Sequence, residues 1–162
     1  MSEAGVVRLL VFRVGNLVCA AEAERVREIL PRLETTRIPG APPEVAGLVN
    51  VRGTLVTVVE GWRVLRQPEP EPPPPDETQS GTTVLLEVRA ARGGEGEDGA
   101  RKVLGFTVDE VVDLLSLSVE ALEHRRALPG IDPTLASAVG RRAGQLFVVL
   151  DTDGLLTPIL SS

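Results

Sequence analysis

The sequence predicts a mainly β chain folded as a pair of small barrels. Short apolar runs rich in valine recur along it, with turn residues about every 8 to 12 positions, the spacing of a barrel or sandwich rather than a βαβ sheet. A proline-rich stretch near the middle separates two halves that look alike in outline. Only Phe12, Phe106, Phe147 and Trp62 are aromatic, so the core is assembled mainly from Val, Leu, Ile and Ala, a composition that leans towards strands. At 162 residues and 43% apolar, the chain suffices for one domain or two small subdomains.

Val6 to Val14 reads as a strand, and Gly15-Asn16 turns it into a second one beginning at Leu17. From Ala21 to Leu30, the placement of Val26, Ile29 and Leu30 at i, i+3 and i+4 predicts a short amphipathic helix that Pro31 helps to end. Thr35 to Ile38 is a short extended piece, and Pro39 to Pro43 excludes a regular element. Glu44 to Ala46 predicts one helical turn before a hairpin, Gly47 to Val59, that bends at Asn50-Val51-Arg52-Gly53. Gly61 to Leu65 reads as a further helical turn. Gln67 to Gly81 holds six prolines and four acids with no periodic apolar residue, and reads as an extended, solvated linker.

The second half opens on a hairpin, Thr82 to Val88 and Lys102 to Val108, with an acidic glycine-rich loop at Gly93 to Gly99. Asp109 to Leu115, with Ser116-Leu117-Ser118 and Val119 to Leu122 after it, suggests another strand and a helical turn. Leu135 to Val139 and Gln145 to Leu150 form another hairpin, and Asp151 caps a short terminal helix.

A net charge of −6 and the absence of a basic run argue against nucleic acid as a partner. No apolar run approaches the ~20 residues that cross a bilayer and no leader is visible, so the expected location is the cytoplasm, without membrane insertion. Cys19 stands alone, which excludes an intrachain disulfide and reads as a small buried hydrophobe in a strand.

A catalytic constellation does not emerge. His124 lies among charges, reads as an exposed loop residue, and has no defined nucleophile to pair with. One Cys and one His cannot furnish a structural zinc site. Asp109, Glu110 and Asp113 read as a solvated strand end, and Asp151 with Asp153 as helix caps, since the later ligands of a calcium loop are missing. The carboxylates of Glu95, Glu97 and Asp98 would repel a phosphate from the Gly93–Gly99 loop. Pro72 to Pro75 reads as a spacer rather than a ligand for a proline-binding domain. No cofactor is implied, and surfaces remain as the functional candidates.

Gly53 readily adopts positive φ and Asn50 tolerates it, so the hairpin bend leaves Arg52 projecting and available to a carboxylate. Glu24 to Ile29, then Thr36 to Pro39 with Pro42, then Gly47 to Val56 follow in order and spacing that resemble the CheW family, the adaptor domains of bacterial chemotaxis arrays. In the second half, Val103 to Leu117, Gly144 to Asp151 and Leu155-Leu156 resemble the same family. The resemblance covers residues 6–157 as one domain. It implies two five-stranded SH3-like barrels with short helices, placed at about residues 15–66 and 82–150 around the 67–81 linker, with the terminal segments free to cross between them.

The resemblance further implies a non-enzymatic bridge between the cytoplasmic tip of a methyl-accepting chemoreceptor and the regulatory domain of a CheA-like histidine kinase, recruited to receptor arrays. Val26, Glu28, Ile29, Gly47 and Arg52 match partner-contacting positions. Val26 and Ile29 read equally as core or as apolar anchors, Gly47 permits close backbone approach, and Arg52 supplies charge at the rim. The chain departs from the family pattern at Thr57 and at Glu60-Gly61-Trp62, where the family has proline and then an acid, leucine and a basic residue. The linker and the acidic loop are also expanded. These departures raise a narrower alternative, a divergent protein that binds the receptor alone. An enzyme or ligand sensor built on Asp109, Glu110 and Asp113 is the contrasting class.

Overall fold

A computed structural model of the chain describes residues 5–70, 81–89, 101–124 and 135–156. The linker residues 71–80 and the Gly93–Gly99 loop lie outside the described residues. In chain order the strands are β1 (Val6–Val14), β2 (Leu17–Glu22), β3 (Val26–Pro31), β4 (Val45–Val51), β5 (Thr54–Val59), β6 (Thr82–Arg89), β7 (Arg101–Val108), β8 (Glu110–Ser118), β9 (Glu123–His124), β10 (Ala136–Arg142) and β11 (Gln145–Leu150). One α-helical turn, α1 (Gly61–Val64), follows β5, and 3-10 turns cover Ala23–Arg25, Val119–Ala121 and Thr152–Leu156.

The strands form two sheets, ordered β8-β1-β2-β11-β10-β9 and β3-β6-β7-β5-β4. Since β9 has two residues, each sheet has five full strands. Each also joins antiparallel neighbours through one parallel contact, β2 with β11 and β5 with β7. The edges of the second sheet meet: Thr36, beyond the end of β3, exchanges backbone hydrogen bonds of 2.8 Å in both directions with Leu48 of β4.

The sheets do not divide at the linker. The strands between residues 15 and 66 split, β2 joining the first sheet and β3 to β5 the second; β6 and β7 complete the second sheet, and β8 to β11 return to β1 and β2. Short valine-rich strands are interchangeable by local pattern, and non-local pairing decides the grouping. The faces of β1 show how. Leu10, Phe12 and Val14 point into a core between the sheets, where Phe12 meets Phe106 of β7 with ring centroids 6.0 Å apart. Leu9 and Val11 point into a second cluster with Phe147 and Val149. A strand buried on both faces reads as a continuous apolar run, which β1 does from Leu9 to Phe12, between Arg8 and Arg13.

The helix expected over Ala21 to Leu30 is a strand instead, entered through the Ala23–Arg25 3-10 turn. Pairing with β6 overrides the helical spacing of the apolar residues. Glu44 to Ala46 likewise makes no helical turn: the Val45 amide donates to the Pro42 carbonyl at 3.0 Å, and β4 begins there. His124 lies in β9, its backbone paired with Ala138, rather than in a loop. Cys19 is buried in β2, and α1 forms where the sequence indicates a helical turn.

Candidate functional site

Both edge strands of the second sheet carry the predicted partner-binding residues, and the Thr36–Leu48 bridge brings those edges together. Between β4 and β5 the chain reverses in two residues, Arg52 (φ 49°) and Gly53 (φ 87°), the left-handed pair of a type I′ turn. Arg52 itself therefore occupies the conformation that the sequence assigns to Asn50. The Asn50 side chain instead accepts from the Gly53 amide at 2.8 Å. So placed, the Arg52 guanidinium donates to the Glu28 carboxylate on β3. That hydrogen bond and the carboxylate charge raise the guanidinium pKa above its already high ordinary value.

A bulge between Val26 and Glu28 sorts the residues of β3. Val26 opposes Leu86 and Ile29 opposes Val84, so these two share one face of the sheet, while Glu28 opposes Leu85 on the other. The face expected from a helix is thus kept for Val26 and Ile29 by a bulged strand, while Leu30, opposite Thr83, falls on the face of Glu28. Val26 packs against the core between the sheets, and Ile29 stands beyond it, 46% exposed.

Gly47 has φ 152°, and a Cβ there would collide with the Thr36 carbonyl. The close backbone approach at this glycine is made by the chain itself. Leu55, 66% exposed and opposite Asn50 in the hairpin, is an apolar neighbour of the bend that the sequence reading passes over. Its signal was the alternation of β5, in which Val56 and Val58 are buried and Leu55 takes an outward position.

The departure at Glu60-Gly61 has an internal explanation. Glu60 makes no cap hydrogen bond from its side chain. The Thr107 hydroxyl accepts from the Gly61 amide at 2.9 Å, and a Cβ on Gly61 would strike the Thr107 carbonyl and reach 3.1 Å from the Phe106 ring. Released from capping, the Glu60 carboxylate lies 3.5 Å from Arg32.

Of the acids weighed as metal ligands, Asp109, Glu110, Asp113 and Asp153 lie in ion pairs between distant segments. Asp109 accepts from Arg13 at 3.0 Å and from the Gly15 amide at 3.1 Å, and Glu110 from Arg13 at 3.1 Å. Asp113 pairs with Arg142, which holds its carboxyl below the usual range. Asp153 pairs with Arg25 at 2.8 Å and accepts from the Arg89 amide at 2.8 Å. Among the described residues, no group of three or more His, Cys, Asp or Glu is placed to hold a metal ion.

A family model described as CheW-like domain matches residues 8–159. Curated relatives include the probable chemotaxis protein CheW of Rhizobium etli, 27% identical over 116 residues, which cover 71% of this chain and 64% of that protein. The chemotaxis protein CheW of Klebsiella aerogenes is 27% identical over 152 residues, covering 91% of this chain and 80% of the relative. Among solved structures, the scaffolding protein TtCheW of Thermoanaerobacter tengcongensis superposes with a TM-score of 0.73 at 15% identity, over 90% of this chain and 88% of that one.

Proposed function

The chain belongs to the CheW-like domain family, and we propose that it is a non-enzymatic adaptor of a bacterial chemosensory system, coupling the cytoplasmic tip of a methyl-accepting chemoreceptor to the regulatory domain of a CheA-like histidine kinase. The observation that carries this reading is the family match across residues 8–159, which takes in strands of both sheets. It would act in the cytoplasm, gathered to receptor arrays.

The contact surface in this reading is the rim formed by β3 and the β4–β5 bend. Val26 and Gly47 support it from within, and Glu28, Ile29 and Arg52 meet the partner, with Leu55 beside them. Exposed apolar residues next to an exposed charged pair suit an interface whose anchors are apolar and whose rim is polar. The Glu60-Gly61 departure is accommodated by Thr107 inside the chain, so it gives no support to binding of the receptor alone.

Reconstitution with the receptor and kinase of the same organism tests the proposal. The chain is expected to co-sediment with receptor-bearing vesicles and to bring the kinase with it. Failure to bind either partner would refute it, and binding of the receptor without the kinase would leave the narrower alternative.

A further inference from the structure

The segment in which the chain departs from its family builds a second surface. Pro43, Glu44, Trp62, Arg63, Arg66 and Gln67 line an open groove of about 260 Å³ at the end of α1. Within it the Arg63 guanidinium lies over the Trp62 ring, 4.5 Å from its centroid. Stacking fixes the plane of the guanidinium and leaves its N–H edge free to fork onto a carboxylate. Among the described residues, neither Arg63 nor Arg66 has a carboxylate at ion-pair distance.

Arg66 reaches the groove through a costly conformation. The Gln67 amide donates to the Trp62 carbonyl at 2.7 Å and closes α1 in the manner of a Schellman motif, which places Arg66 at φ 56°. Glycine is the usual occupant of that position because a Cβ is strained there. A strained arginine with no carboxylate partner among the described residues, beside a second arginine held on a tryptophan, has the arrangement of a recognition element.

We propose that this groove binds an acidic peptide segment of a partner protein, its carboxylates forked by Arg63 and Arg66 against the Trp62 face. The groove walls carry two cations and one carboxylate, Glu44, so the net charge favours an anionic ligand. The inference is independent of the receptor and kinase reading, and its test uses neither protein.

Trp62 is the only tryptophan, so its fluorescence in the full chain reports on the groove directly. Titration with an acetylated pentaglutamate amide is expected to give a saturable change that pentaglutamine does not reproduce and that weakens with added salt. Arg66→Gly is expected to weaken binding about tenfold with a melting temperature equal to or above the starting one; Arg63→Gln is expected to weaken it similarly. Glu44→Gln is expected to tighten it. No saturable change with pentaglutamate, an equal response to pentaglutamine, or full affinity in both arginine variants would overturn the proposal. Binding that appears only when Glu69, Glu71, Asp76 and Glu77 are replaced by glutamine would also overturn it, by identifying this chain's own acidic segment as the occupant.

Discussion

Arg52 holds a left-handed backbone conformation and spends its guanidinium on Glu28, 24 residues earlier and on the opposite edge of the same sheet. The pair is exposed, so it shapes a surface more than it holds the fold together. Arg52→Glu sets two carboxylates against each other at the rim. It is expected to weaken receptor and kinase binding in pull-down assays while the melting temperature stays close to that of the parent. A collapse of the melting temperature would make the pair structural.

Gly61 and Thr107 form the opposite case, a contact with no tolerance. Gly61→Leu, which installs the residue type usual in the family, is expected to destabilise the protein by about 1–3 kcal/mol through overpacking against β7. Denaturant titration measures this directly. Thr107→Val removes the acceptor of the buried Gly61 amide and is expected to cost about 1–3 kcal/mol. If Gly61→Leu were as stable as the parent, the close seating of α1 on β7 would be refuted.

Cys19 predicts behaviour at high pH. Burial pushes its thiol up to about 12, so the folded state keeps the proton that the unfolded state releases above the ordinary thiol value of 9.0. With the folded pKa above the unfolded one, the contribution is fully present below about pH 9 and is lost as pH rises towards 12, at up to about 1.4 kcal/mol per unit. The chain has no tyrosine and a single lysine, Lys102. Stability curves of the parent and Cys19→Ala are expected to converge as pH rises from 9 to 11; parallel curves would contradict the assignment.

Asp153 predicts the acid side. Burial opposes its ionisation, but the hydrogen bonds from Arg25 and the Arg89 amide outweigh burial and lower its pKa. Its contribution is therefore present above the unfolded value of about 3.9 and is lost as pH falls through the lower folded one. Asp153→Asn is expected to cost under about 1 kcal/mol at pH 7, since the pair is partly solvated. That deficit is expected to shrink below about pH 4, as thermal melts across pH would show; a deficit that grew on acidification would reverse the sign of the argument.

Legibility in the sequence followed the range of the interaction. The β1–β2 hairpin, the bend at Arg52 and α1 are written in neighbouring residues, and the sequence shows them. Val26, Ile29 and Leu30 fit a helix by spacing, but the partner that decides their conformation is β6, more than fifty residues away. For the same reason the exposed Arg52 was legible and its pairing with Glu28 was not, because their meeting requires both sheet edges to be joined. The ion pairs of Arg13, Arg25 and Arg142 lie equally beyond any local pattern.

The bare glycine at position 47 has one more effect. By letting the Thr36 backbone lie against β4, it occupies part of an edge that would otherwise present unpaired amides and carbonyls to any strand-forming neighbour. A side chain there would lift that cover, and the damage would emerge as sticking between molecules, in slow clouding of concentrated solutions, sooner than as a lower melting point.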